Sequence, residues 1–130
     1  MKVSVINTVV KLLVLLAAIL FLVMGVRWLV APAGVAPDFG LTLSDGIGLS
    51  SQIGNMAGFF LVLGSCMLIA LIGGQRSWYY PPMMLLAITA LGRTVAWLLH
   101  DATLAVSQIM TEVVVSIFLL LASRRLPKEG

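Results

Sequence analysis

Charge is scarce in this chain. Of its 130 residues, 10% are charged and 61% are hydrophobic, whereas an ordinary soluble domain is about a quarter charged and about half apolar. That shortage excludes a free-standing soluble enzyme. The single cysteine, Cys66, lies inside an apolar run and excludes both an intramolecular disulfide and a CxxC redox pair. The single histidine, His100, leaves no second imidazole for a metal or haem site. A P-loop, a serine nucleophile with its base, H-E-x-x-H and a dinucleotide fingerprint are all missing, and the few carboxylates form no catalytic dyad. Neither a catalytic set nor a metal or resident cofactor is expected.

What is present is long apolar runs. A membrane-crossing helix needs about 20 residues, so a chain of this length can cross about four times and has little left for a soluble domain. Leu12 to Val26 carries no charge, and its apolar character continues through Trp28 to Val30. A cleaved signal peptide is the weaker reading of that run, because Pro32 between Ala31 and Ala33 makes a poor cleavage site and a signal core is only about 7–15 residues long. From Ala31 to Ser51 the chain turns to Pro32, Gly34, Pro37, Asp38, Gly40, Asp45, Gly46 and Gly48, the composition of a loop. An uncharged stretch centred on Asn55 to Ile72 follows and ends at Gly73 and Gly74. Gln75, Arg76 and Ser77 make a polar turn, Trp78, Tyr79 and Tyr80 an interfacial aromatic cluster, and Pro81 and Pro82 a helix start. After a turn at His100, Asp101 and Ala102, a last apolar run precedes the short tail Arg124 to Gly130. The expectation is an all-α membrane protein, one four-transmembrane-helix domain over 1–130, with helices about 7–30, 52–73, 81–99 and 105–122 and an outer loop at 31–51.

The formal net charge of +3 comes from residues that flank or interrupt the apolar runs. That pattern is a topology signal and argues against a nucleic-acid partner. One side of the membrane holds Lys2, Lys11, Arg76, Arg124, Arg125 and Lys128; the other holds Asp38, Asp45 and Asp101, with Arg27 near its edge. The positive-inside rule places both termini in the cytoplasm.

Two charges fall where charge is expensive. Arg93 lies in the third helix and Glu112 in the fourth, and a charge at mid-membrane costs about 2.5–3.5 kcal/mol on insertion scales. In an antiparallel hairpin turning near Ala102 and Thr103, residues whose numbers sum to about 205 lie level, and these two do. Gln108, Glu112 and Ser116, with Ser107 and Thr111 alongside, form a polar stripe on one helix, and Thr89, Arg93 and Trp97 form one on the other. Arg27, Gln52 and Asn55 fall toward the same end, so an outer-half cluster with one excess positive charge is expected. It reads either as a pocket for an anionic or polar lipid headgroup, a quinone or another amphiphile, or as a pair that fixes helix register while Arg27 snorkels. In the pocket reading Arg93 is the donor, Glu112 orients it and Trp97 makes an aromatic wall. His100 reads as a turn residue and Cys66 as a small core residue. Gly54 and Gly58 form a GxxxG that permits close helix approach, within the chain or between copies.

Gly25-Val26-Arg27 before Trp28 and the Pro32 loop, Gly58 and Gly64, Ala90-Leu91-Gly92-Arg93, and Thr111-Glu112 together give the chain a resemblance to small bacterial inner-membrane proteins of the DoxX-like type. The resemblance covers nearly the whole chain through short strings. It departs at Gln52 to Asn55, where the group often has an arginine or other polar residue opening the second helix, and at His100-Asp101-Ala102, where it often has Asp-Gly. It implies a four-helix fold in the bacterial inner membrane and mostly no assigned activity, although some relatives are subunits of quinone-linked sulfur oxidation complexes. The leading expected function is a non-catalytic accessory or stabilising subunit, or a scaffold, of a larger membrane complex, surrounded by lipid and contacting other subunits or itself. The alternative is a binder or carrier of an amphiphile through Arg93, Glu112, Arg27, Gln108, Trp97 and Asn55. A membrane enzyme is the third reading, and it needs a substrate or metal that the sequence does not announce.

Overall fold

The computed structural model describes residues 2–127, of which 87% are helical and none is in a strand. Lys128, Glu129 and Gly130, assigned above to the tail, lie outside the described residues. Four helices are long and apolar enough to cross a membrane. They are α1 (Lys2–Val30), α3 (Gly46–Gly73), α4 (Tyr80–Leu99) and α5 (Val106–Arg125), with the one-turn helix α2 (Pro32–Val35) following α1.

Local chemistry explains where each stops. Pro32 cannot donate to the helix preceding it and pushes Ala31 out of helical conformation, ending α1. Gly74, in the left-handed region at φ 70°, closes α3 by donating its N–H to the Ala70 carbonyl. Pro81 and Pro82 sit in the first turn of α4, where a missing N–H costs nothing. Arg124 and Arg125 lie in the last turn of α5, next to the negative end of its dipole. Asp101, at φ 59°, makes the reversal between α4 and α5.

Three boundaries differ from those expected, and one of them is the end of the last helix, which runs to Arg125, past 122 and into the expected tail. The first helix starts at Lys2 instead of about Asn7, and the second at Gly46 instead of about Gln52. Val, Ser and Gly make up more than half of those turns and have low helix propensity, but both are held by other contacts. Asn7 accepts a hydrogen bond from Arg125 Nη1 at 3.5 Å. Gln52 accepts one from the Ser44 N–H at 2.8 Å and donates one to the Thr42 carbonyl at 3.0 Å. The loop is correspondingly shorter than 31–51, and α2 with the 3₁₀ turn Ala36–Phe39 fills its first half.

The helices form a closed ring: α1 packs on α3, α3 on α4, α4 on α5 and α5 back on α1. The α1–α3 seam is the tightest, since Gly25 lies against Leu61 and Gly64 against Leu22 and the Ala18 carbonyl. Lipid offers apolar side chains no less than a neighbouring helix does, so close backbone approach and packing, not hydrophobic exclusion, must hold such a seam. Gly54 and Gly58, the expected GxxxG, face away from the bundle with nothing near them. That corrects the expectation for packing within the chain: a glycine serves a contact only if it falls on the facing side of its helix. Cys66 is buried in the bundle and His100 is exposed at its turn. Of the aromatic cluster, Trp78 and Tyr80 are exposed, whereas Tyr79 is fully buried.

Candidate functional site

Arg93 and Glu112 project from facing positions of α4 and α5 and meet. Arg93 Nε donates to both carboxylate oxygens, at 3.0 Å to Oε1 and 3.1 Å to Oε2. Each residue is six positions from the loop end of its helix, about 9 Å below it at 1.5 Å per residue. The carboxylate is buried, while the guanidinium side chain is 32% exposed. Both residues also line a cavity.

The cavity has a volume of about 210 Å³ and takes walls from all four long helices. Leu20, Phe21 and Met24 of α1 form one side, Phe59 and Phe60 of α3 the back, Leu86 and Arg93 of α4 the next side, and Gln108, Thr111 and Glu112 of α5 the last. Phe39, from the 3₁₀ turn of the loop, forms part of the lining. Its ring stands 5.5 Å from Phe60 and 6.0 Å from the fully buried Trp28, and Phe60 in turn packs on Phe21 at 5.9 Å and edge-on against Phe59 at 5.1 Å. Aromatic pairs at these spacings are favourable beyond the area they bury, so this wall is stiff. Stiff apolar walls with a few convergent polar groups are the usual build of a small-molecule site.

Most hydroxyls of the two polar stripes are used up locally. Thr89 donates to the Leu85 carbonyl, Thr94 to that of Ala90 and Thr111 to that of Ser107, the i−4 bond that satisfies a hydroxyl within its own helix. Ser107 Oγ donates to Gln108 Oε1 at 3.0 Å. Ser116 differs: its buried Oγ has no partner among the described residues. It lines a shallow groove of about 430 Å³ between α4 and α5, together with Ala87, Ala90 and Ile117, and Glu112 and Leu86 separate that groove from the cavity.

Of the residues expected in the cluster, Arg93, Glu112 and Gln108 line the cavity together. Arg27 does not join them. The chain folds back over the end of α1, so Arg27 Nη2 donates to the Gly34 carbonyl at 3.3 Å and Nη1 lies 3.9 Å from Asp38 Oδ2. That contact is a solvent-facing pair, and it removes the expected excess positive charge from the cavity. Asn55 is exposed on the outward face of α3, and Trp97, 45% exposed, is not part of the cavity lining. Gln52 binds the loop backbone instead. The aromatic wall is built by Phe21, Phe39, Phe59 and Phe60, which the sequence reading left unmarked. A phenylalanine inside an apolar run carries no periodic signal that separates a cavity wall from a lipid-facing side chain.

No family model, curated protein or solved structure matches the chain.

Proposed function

We propose that this protein holds an amphiphile, such as a quinone or a lipid, in the cavity between its helices, with the polar head at Arg93 and Gln108. The observation that carries this reading is the aromatic cavity whose lining includes the ion pair of Arg93 and Glu112. Fixing helix register needs only the contact between Arg93 and Glu112; it does not need the hollow beside them. A binder and carrier, not an enzyme, is the role this supports. The proposal includes location in the bacterial inner membrane with both termini cytoplasmic, since Lys2, Lys11, Arg76, Arg124 and Arg125 lie at one end of the bundle and Asp38, Asp45 and Asp101 at the other. Kinship with the DoxX-like group is part of the same proposal.

The test is extraction into lipid nanodiscs without harsh detergent, followed by organic extraction and mass spectrometry. A stoichiometric amphiphile in the wild type, depleted in a Phe60→Trp variant that fills the cavity, is the expected result. If nothing is retained and no added quinone or lipid raises the melting temperature, the reading fails.

A second role, accessory subunit of a larger complex, is favoured by one feature. The outward face of α3 carries Ser51, Gly54, Asn55 and Gly58, all exposed, where α1 exposes Leu12, Leu16, Ile19 and Val23. Small and polar residues on an outward helix face suit close approach by another helix. A monodisperse, partnerless protein in mild detergent would count against this role and leave the first untouched.

A further inference from the structure

We infer that the ligand has a neutral, hydrogen-bond-accepting head of the carbonyl type and a single apolar tail that leaves the cavity sideways, between α1 and α5. This rests on the binding role proposed above and narrows it to one class of molecule.

Charge decides the head. With Arg27 turned away to Gly34 and Asp38, the cavity holds one cation and one anion in direct contact. The pair has no net charge to offer an anion, and a phosphate would have to sink about 9 Å below the helix ends to reach it. A neutral head carries no such cost. Hydrogen-bonding capacity points the same way. Among the described residues Arg93 uses only Nε, leaving its two terminal NH₂ groups to offer, and the Gln108 amide oxygen already accepts from Ser107. The Gln108 NH₂ group therefore remains as a donor, whereas both Glu112 oxygens face Arg93 and the Thr111 hydroxyl hydrogen is given to Ser107. The hydrogens on offer belong to Arg93 and Gln108, and a molecule that only accepts, with a flat ring to lie against Phe39 and Phe60, complements them.

Exposure decides the path. Two residues of the cavity lining are exposed, Leu20 on α1 and Thr111 on α5. They lie on α1 and α5, the two helices that Asn7 and Arg125 tie together at the other end. Leu20 is 57% exposed, and the Thr111 hydroxyl hydrogen is already bonded within its own helix, so these two residues form the edge of the mouth. An apolar chain passes such an edge without losing a hydrogen bond. A ligand dissolved in the membrane thus reaches the cavity without crossing water.

The experiment uses the full chain in nanodiscs, with affinities expressed per mole fraction of ligand in the bilayer. Three probes are titrated: menadione, a tailless quinone; a menaquinone with a two-isoprene tail; and palmitic acid. Both quinones are expected to bind at least tenfold more tightly than the fatty acid, and Gln108→Leu to weaken both by roughly two- to tenfold, the range for loss of one neutral hydrogen bond. The tail is expected to add affinity, and Leu20→Trp and Thr111→Phe, both at exposed positions, to lower the ratio of tailed to tailless binding at least tenfold. Ala87→Trp, which fills the groove between α4 and α5, should leave that ratio unchanged. Tighter binding of palmitic acid, or a tail effect that responds to Ala87→Trp and not to the two mouth variants, overturns the inference while the binding role stands. Failure of all three probes, together with an empty protein on extraction, overturns the binding role itself.

Discussion

A Glu112→Leu variant unfolds far more readily than the Arg93→Leu, Glu112→Leu double variant, although the double change removes more polar contact. In the single variant the guanidinium keeps its charge and loses both carboxylate acceptors. Removing one partner of a buried ion pair costs about 3–5 kcal/mol, because the remaining charge is desolvated without compensation, whereas replacing both with apolar residues of similar volume is often neutral or stabilising. Reversible unfolding in mixed micelles measures the three free energies directly. With Arg93→Leu as the fourth corner of the cycle, losses of the two single variants that simply add up in the double variant would mean that the two side chains contribute independently and that the pair does not hold the α4–α5 hairpin.

The second large effect lies on the opposite side of the bundle, where Gly64→Ala separates α1 from α3. A methyl group at that position would stand 2.7 Å from Leu22 Cγ and 2.8 Å from the Ala18 carbonyl oxygen. Leu22 can change rotamer, but a backbone carbonyl cannot move without its helix. Overpacking of this kind costs about 1–3 kcal/mol. Gly25→Ala meets Leu61 Cγ at 2.7 Å and its backbone nitrogen at 3.1 Å, so it follows the same pattern. Gly54→Ala and Gly58→Ala have open space and should change stability by no more than about 1 kcal/mol, in the stabilising direction that alanine's helix propensity gives. Melting temperatures of the four variants are the check, and a destabilised Gly58→Ala with an unaffected Gly64→Ala would reverse the assignment of the seam.

These two sites differ in how far the sequence reveals them. The Arg93–Glu112 contact follows from hairpin arithmetic, because both residues are anomalies in apolar helices and a short turn fixes their relative height. Nothing comparable marks Gly25 and Gly64. Several glycines share these helices, and which of them face a neighbour depends on helix rotation, which the nearly uniform apolar sequence around them leaves open. The four runs themselves are legible because continuous hydrophobicity over about 20 residues has few other uses. Their ends are less so: Lys2–Ile6 falls before the expected start of the first helix and Gly46–Ser51 reads as loop by composition, yet both are helical, with Asn7 bonded to Arg125 and Gln52 to the loop backbone. Arg27 misled for the same reason. Its height on α1 fits the polar cluster, but the Pro32–Phe39 fold-back supplies a nearer acceptor. The cavity's aromatic lining depends on all four helices and the loop at once and has no local signature.

From Val106 to Thr111 no residue of α5 is buried, and the helix starts without a side-chain cap. Glu112 is the first buried residue along it. Segments with so few buried contacts open at a small fraction of the global unfolding free energy, and their amides exchange with solvent correspondingly early. The first turns of α5 thus form a weakly cooperative flap anchored at one charged rivet, next to the stiff seam of α1 and α3. A molecule that bridges Gln108 and Arg93 would add the flap's missing tertiary contact, so occupancy of the cavity would be written into the exchange lifetimes of the Val106–Thr111 amides.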